Sequence, residues 1–290
     1  MEDARIQVFD VLIQDWLYKD NVLYVCTKGG SRLYALDPVT LTVIQKVSLN
    51  QTPRSLSCTK DEIVVIFEFA DYMGLYDPVT LAQTGTIPFA GSNSTVFCGD
   101  YVYTVSNLSD SSSLRWYNRV SGKSGVVCQN DTSENYTFRH PSLAADEENG
   151  LIYLAESEQR ISSKQYLYCF DAKTQKLKEK IIFPDRICFA RVVLCDGAVY
   201  AGRFKLNAAN LSEIIMEYPS CVPGALHFLG DGLYFANTDY VITDNGVYLN
   251  ESGVQLVTFS TGIKDAMMSD SNYLLLRYSD DTIISIPPLD

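Results

Sequence analysis

Four basic residues stand at the heads of short apolar, β-prone runs: Arg54 in TPRSLS, Arg139 in TFRHPS, Arg191 in FARVVL and Lys264 in GIKDAM. Converging cations hold carboxylates or phosphates through charge-assisted hydrogen bonds. On a chain of net charge −12 they would form a local exception that focuses potential. An anionic small molecule or an acidic peptide is the ligand such a group would take. The competing reading is that each cation pairs with a nearby acid, as Lys264 can with Asp265. His140, beside Arg139, suits general acid or base work. A single His beside a proline, here Pro141, in a β-entry segment is more often just packed or solvated.

Other chemistries find few residues. Two histidines are too few for a Cys/His zinc cluster, and none of the eight cysteines forms a Cys-x-x-Cys pair. No Ser-His-Asp set can be assembled, and KGGS at 28–31 reads as a hairpin turn rather than a phosphate loop. His227, in ALHFLG, falls on an apolar run and reads as structural. No catalytic residue, metal or cofactor is therefore expected.

The acidic balance makes nucleic acid a poor partner, because phosphate binding needs a basic footprint. No apolar run reaches the roughly 18–20 residues that span a bilayer. The N-terminal MEDARIQVFD lacks an apolar stretch, so a cytoplasmic protein is expected; the alternative is a secreted one whose leader has been removed. Cys58, Cys98 and Cys195 each end an apolar run before a polar turn, the position of a small buried hydrophobe, and reduced thiols are expected. Asn50, Asn93, Asn107, Asn130, Asn135, Asn210 and Asn250 begin Asn-x-Ser/Thr triplets, which pulls toward the secreted alternative.

The elements that would position these groups repeat. LYALDPVTLTV at 33–43 and GLYDPVTLAQ at 74–83 share Asp-Pro-Val-Thr-Leu, Asp37–Leu41 and Asp77–Leu81. A second marker, a polar turn followed by an apolar run with Tyr, recurs at Tyr24, Val65, Tyr103, Tyr153, Tyr200, Tyr234 and Leu274. The spacing averages about 42 residues, the period of four-stranded propeller blades. Each unit is rich in Tyr, Val, Ile, Thr and Phe broken by turn residues, and no helical period is sustained. The expected fold is all-β: a seven-bladed β-propeller of four-stranded antiparallel blades in one domain, residues 1–290. The last unit offers three strands, and RIQVF at 5–9 is available as its fourth. Asp-Pro-Val-Thr-Leu is expected at the hairpin between third and fourth strands, with YNRVSGK at 117–123 and CFDAKTQK at 169–176 as variants.

These turns, with their L-Y-x-x-D-x-x-T pattern, resemble the repeats of YVTN and quinoprotein-like β-propellers. Leu41 and Leu81 stand where many quinoprotein repeats carry glycine. Ligands of such folds usually sit over the channel mouth, where first strands begin. Arg54, Arg139, His140, Arg191 and Lys264 are the candidates there. Three functions are consistent with this frame. The first is a non-catalytic scaffold that binds a protein partner through one face and the channel mouth. The alternatives are a lactonase-like or lyase-like enzyme acting on an anionic small molecule, and a secreted surface or adhesion propeller.

Overall fold

A computed structural model describes residues 4–92, 94–108, 111–129, 141–156, 165–183, 191–202, 204–218, 233–243, 246–259 and 263–288. Every regular element among them is a strand. After β1 (Arg5–Val8), the first blade holds β2 (Ile13–Lys19), β3 (Val22–Thr27), β4 (Arg32–Leu36) and β5 (Val43–Ser48). The second holds β6 (Pro53–Cys58), β7 (Ile63–Phe67), β8 (Met73–Tyr76) and β9 (Gln83–Ile87). In the third are β10 (Thr95–Cys98), β11 (Tyr101–Leu108), β12 (Ser111–Asn118) and β13 (Ser124–Gln129). The fourth is β14 (Ser142–Asp146), β15 (Leu151–Glu156), β16 (Gln165–Asp171) and β17 (Leu177–Phe183). The fifth comprises β18 (Val192–Cys195), β19 (Ala198–Ala201), β20 (Phe204–Asn207) and β21 (Asn210–Glu217). The sixth comprises β22 (Leu233–Ala236), β23 (Tyr240–Thr243), β24 (Gly246–Leu249) and β25 (Gln255–Thr258). The seventh adds β26 (Ile263–Met268), β27 (Leu274–Tyr278) and β28 (Thr282–Ile286).

Each blade is an antiparallel sheet with its strands in chain order. The seventh is completed by β1, paired from Arg5 opposite Ser285 to Val8 opposite Thr282. These are the seven four-stranded blades of a β-propeller. Two compact units contain them: residues 1–93 with 260–290, holding blades seven, one and two, and residues 94–259, holding blades three to six.

Second strands are buried along their length, as Val22–Thr27 and Ile63–Phe67 show, because both faces pack on sheets. Fourth strands are mostly exposed. The core lies between blades. In the first unit Tyr24, Cys26, Leu33 and Ala35 of blade one meet Ile63, Val65, Phe67 and Tyr76 of blade two. In the second unit Tyr103 and Val105 of blade three meet Ile152, Leu154 and Phe170 of blade four. Cys58, Cys98 and Cys195 each close a first strand, the repeated position their sequences suggest. One marker is displaced. Tyr234 lies on first strand β22, while the second strand of that blade is β23. Its Leu-Tyr-Phe run imitates a second strand because both strand types share the same apolar composition.

The two repeat markers touch each other. The Tyr24 hydroxyl of blade one donates to Pro78 O in the turn of blade two, 2.9 Å away. In the second unit the Tyr103 hydroxyl donates to Ala172 O, the residue after Asp171. Tyr200 reaches Asn250, again one residue into the next blade's turn, at 2.8 Å. Ser285 of blade seven donates to Pro38 O at 2.7 Å. The exception is Tyr153, whose buried hydroxyl makes no bond to the next blade's turn and lies beside the Cys169 thiol. The following blade turns between Asn207 and Asn210 with only two residues, so the longer turn that elsewhere offers a carbonyl is missing.

Within each turn the aspartate is the organiser. Asp37 Oδ1 accepts the N–H of Val39 (3.0 Å), the N–H of Thr40 (2.7 Å) and the Thr40 hydroxyl (3.0 Å). Asp77 and Asp171 repeat the set with Thr80 and Thr174. The backbone and hydroxyl hydrogen bonds of Thr80 and Thr174 lower the Asp77 and Asp171 pKa values. At Asp37 partial burial opposes the shift, and the bonds from Thr40 and Val39 outweigh it. A carboxylate with a depressed folded pKa contributes stability that is present above the ordinary range and lost as pH falls through the folded values. Asn118, which makes the same bonds to Val120 and Ser121 without a charge, shows that asparagine fits the turn. The paired substitution Asp37→Asn and Asp77→Asn is expected to lower stability at neutral pH by the carboxylates' share and to flatten its loss on acidification. Urea unfolding across the acid range checks it; an unchanged slope refutes the assignment.

Leu41 and Leu81 close these turns with positive φ, 58° and 55°, where glycine is the unstrained choice. Both side chains are buried. The left-handed conformation costs about 1–2 kcal/mol, whereas removing a buried Leu side chain costs about 2–5 kcal/mol. Burial therefore wins. Leu81→Gly is expected to destabilise by about 1–3 kcal/mol, read by chemical denaturation, despite relieving strain.

Candidate functional site

First strands begin at the same blade end as the hairpins joining second to third strands. Lys28 N–H donates to Leu12 O and Glu68 N–H to Thr52 O, both at 2.9 Å, which ties the two features together in blades one and two. Arg54 and Lys264 both lie at this end of the first unit, each beside an equivalent register shift, Pro53/Ser55 on β6 and Ile263/Asp265 on β26. The bulged geometry sets these residues apart from the regular pairing.

Acids near Lys264 also accept hydrogen bonds from neighbouring strands. Asp265 accepts the Trp16 indole N–H at 2.8 Å and the Ala266 N–H at 2.9 Å. Asp15 accepts Trp16 N–H and, on the next blade, Leu56 N–H at 2.8 Å. Asp281 accepts Ile13 N–H at 2.9 Å. The free edges of inner strands need such acceptors. In the second unit serines do the same, Ser94 for Leu143 N–H and Ser142 for Val192 N–H. Burial lowers the Lys264 pKa, and the neighbouring Arg277 guanidinium lowers it further, against Asp281, Asp265 and Asp15. Arg277 is itself buried and donates to Ile13 O at 2.8 Å.

Arg191 lies in the second unit, where its guanidinium donates to Tyr234 O of the next blade at 3.2 Å. Its position thus serves blade-to-blade cohesion. Arg139, His140 and His227 lie outside the described residues. Among the described residues no three His, Cys, Asp or Glu side chains group as a metal site requires. No helix of the described chain is long and apolar enough to cross a membrane.

The feature sequence reading missed is Phe69. It sits on the hairpin between β7 and β8, wholly exposed, with φ 59°. A bulky residue in the left-handed region is an outlier that marks strain or function. The corresponding hairpin of blade one turns through Gly30, φ 77°. An ion pair from Lys28 to Glu68, 2.9 Å, joins the two hairpins. Alignment of KGGS with EFADY was the available signal, since phenylalanine replaces a glycine-type turn position.

No family profile and no curated protein matches the chain. Solved structures do. Over 95% of this chain and 85% of the other, it is similar to BamB from Moraxella catarrhalis, with TM-score 0.53 and 15% identity. It is also similar to the computationally designed Ika8 protein, with TM-score 0.60, 10% identity, and coverage of 97% and 98%. At these identities the likeness is one of fold. The class is thereby stated: a seven-bladed β-propeller.

Proposed function

We propose that this propeller is a non-catalytic scaffold that binds a protein partner through the blade ends carrying Phe69, Arg54 and Lys264. The observation that carries the reading is Phe69. A wholly exposed aromatic in a strained conformation gains nothing from burial and costs backbone strain. Aromatic anchors are the usual centres of interfaces. Arg54 and Lys264 supply cations at the same end, which favours a partner segment with carboxylates. Arg139, His140 and Arg191, all within residues 94–259, remain proposed as ligand contacts of their own unit. The resemblance to YVTN and quinoprotein-like repeats supports the architecture and adds no cofactor.

Co-purification of the full chain from its native extract tests the reading. A stable partner lost on Phe69→Gly supports it, and a clean monomer from that extract counts against it. Localisation is proposed as cytoplasmic. Six of the eight cysteines are described and unbridged. Burial pushes the Cys98 and Cys169 thiols up to about 11, and Cys26 well above its ordinary range. Such thiols are inert in the native state. Natively isolated protein is expected to show slow alkylation when folded and eight reactive thiols on denaturation. Fewer than eight would place it in an oxidising compartment.

A further inference from the structure

The seam between blades five and six breaks the pattern of the others. Its turn runs Leu249-Asn250-Glu251-Ser252-Gly253 and keeps the backbone bonds of the Asp-Pro-Val-Thr-Leu turns, Leu249 N–H to Val254 O and Gly253 N–H to Leu249 O. Leucine has replaced the aspartate and asparagine the proline. Asn250 is buried, and its amide donates to Asn237 O. Its Oδ1 is met by three donors: the Tyr200 hydroxyl at 2.8 Å, the Lys205 ammonium at 2.8 Å and the Tyr218 hydroxyl at 3.2 Å.

An amide oxygen offers two lone pairs, and an ammonium carries three donors. Tyr218 also reaches Asn250 O, at 3.3 Å, so Oδ1 can be shared by Tyr200 and Lys205 alone; among the described residues Lys205 makes this single hydrogen bond, which leaves two ammonium hydrogens for a ligand. Beside it opens a cleft of about 420 Å³, lined by Lys205, Asp239, Leu249, Asn250, Glu251 and Ser252. The unspent ammonium hydrogens call for an anionic oxygen. The exposed carboxylates of Asp239 and Glu251 at the rim repel a multiply charged anion and call for a cation. Leu249 adds an apolar wall.

We propose that this cleft binds a compact zwitterion of the α-amino-acid kind bearing an apolar side chain. The ligand's carboxylate meets Lys205, its ammonium meets Glu251 and Asp239, and its side chain lies on Leu249. The site lies wholly within residues 94–259 and is independent of Phe69.

Isothermal titration of the full chain with L-leucine tests the proposal, with 4-methylpentanoic acid and isopentylamine as probes lacking one charge each. Leucine is expected to bind saturably at one site, and each single-charge probe about tenfold or more weakly. Glu251→Gln should weaken leucine and spare 4-methylpentanoic acid. Lys205→Met should weaken leucine and spare isopentylamine. Should Lys205→Met fail to fold, the exposed Glu251→Gln decides. Absence of leucine binding at millimolar concentration overturns the proposal. So does leucine binding unchanged in Glu251→Gln, or binding of calcium without leucine.

Discussion

Phe69→Gly is expected to separate stability from binding. Glycine releases about 1–2 kcal/mol of left-handed strain and costs about 0.5–1 kcal/mol in added chain entropy. The fold should therefore stay within about 1 kcal/mol of the parent, with the melting temperature moved by no more than a few degrees. Loss of an aromatic anchor typically costs about 2–4 kcal/mol of binding, roughly 30- to 1,000-fold in Kd. A folded, fully stable protein that no longer retains its partner is the expected result. Affinity unchanged by the substitution would remove Phe69 from the interface. Unfolding would also abolish binding, so loss of the partner with stability retained is the informative outcome.

Tyr24→Ala is expected to be the most damaging single change to the fold. Its ring is buried among Leu33, Ile63, Val65 and Leu81, so it is shared by two blades. Removing a buried aromatic costs about 3–5 kcal/mol, a fall in melting temperature on the order of 10 °C for a chain of this size. Tyr24→Phe keeps the ring and leaves Pro78 O without its donor. Pro78 is half-buried, so the loss should be about 0.5–1.5 kcal/mol, the net worth of a typical hydrogen bond. Calorimetry on both variants apportions ring packing and hydrogen bond. Equal losses would mean the hydroxyl carries the contact, and no loss in either would refute the account.

Much of the architecture was legible because it depends on near neighbours in the chain. The turn residues Asp37, Pro38 and Thr40 act on one another over three positions, so their recurrence at 77–80 announced the same hairpin. The alternation and composition of RIQVF were enough to offer a fourth strand to the last blade. Tyr234 misled because a first and a second strand can carry the same residues.

The mouth of the first strands was less legible. Asp265, which the sequence offers as a neighbour of Lys264, also accepts the Trp16 indole and the Ala266 N–H. Asp15 reaches Leu56, 41 positions away, on the next blade. No local pattern encodes such a pairing, because it is made by packing one blade on another. Arg191 likewise reads as a free cation in sequence and is bound to Tyr234 O in the fold.

The sequence by itself determined the period, the strand content, the turns and the strand that completes the seventh blade. These rest on backbone preferences and on the two-residue alternation of buried side chains. Tertiary structure alone decided that the repeated tyrosine and the repeated turn bond to one another. It also decided that the inner acids accept hydrogen bonds from strand edges, and that Phe69 is left in water at a strained φ. Those outcomes depend on which groups two blades bring within 3 Å of each other, and distance in space is not written in distance along the chain.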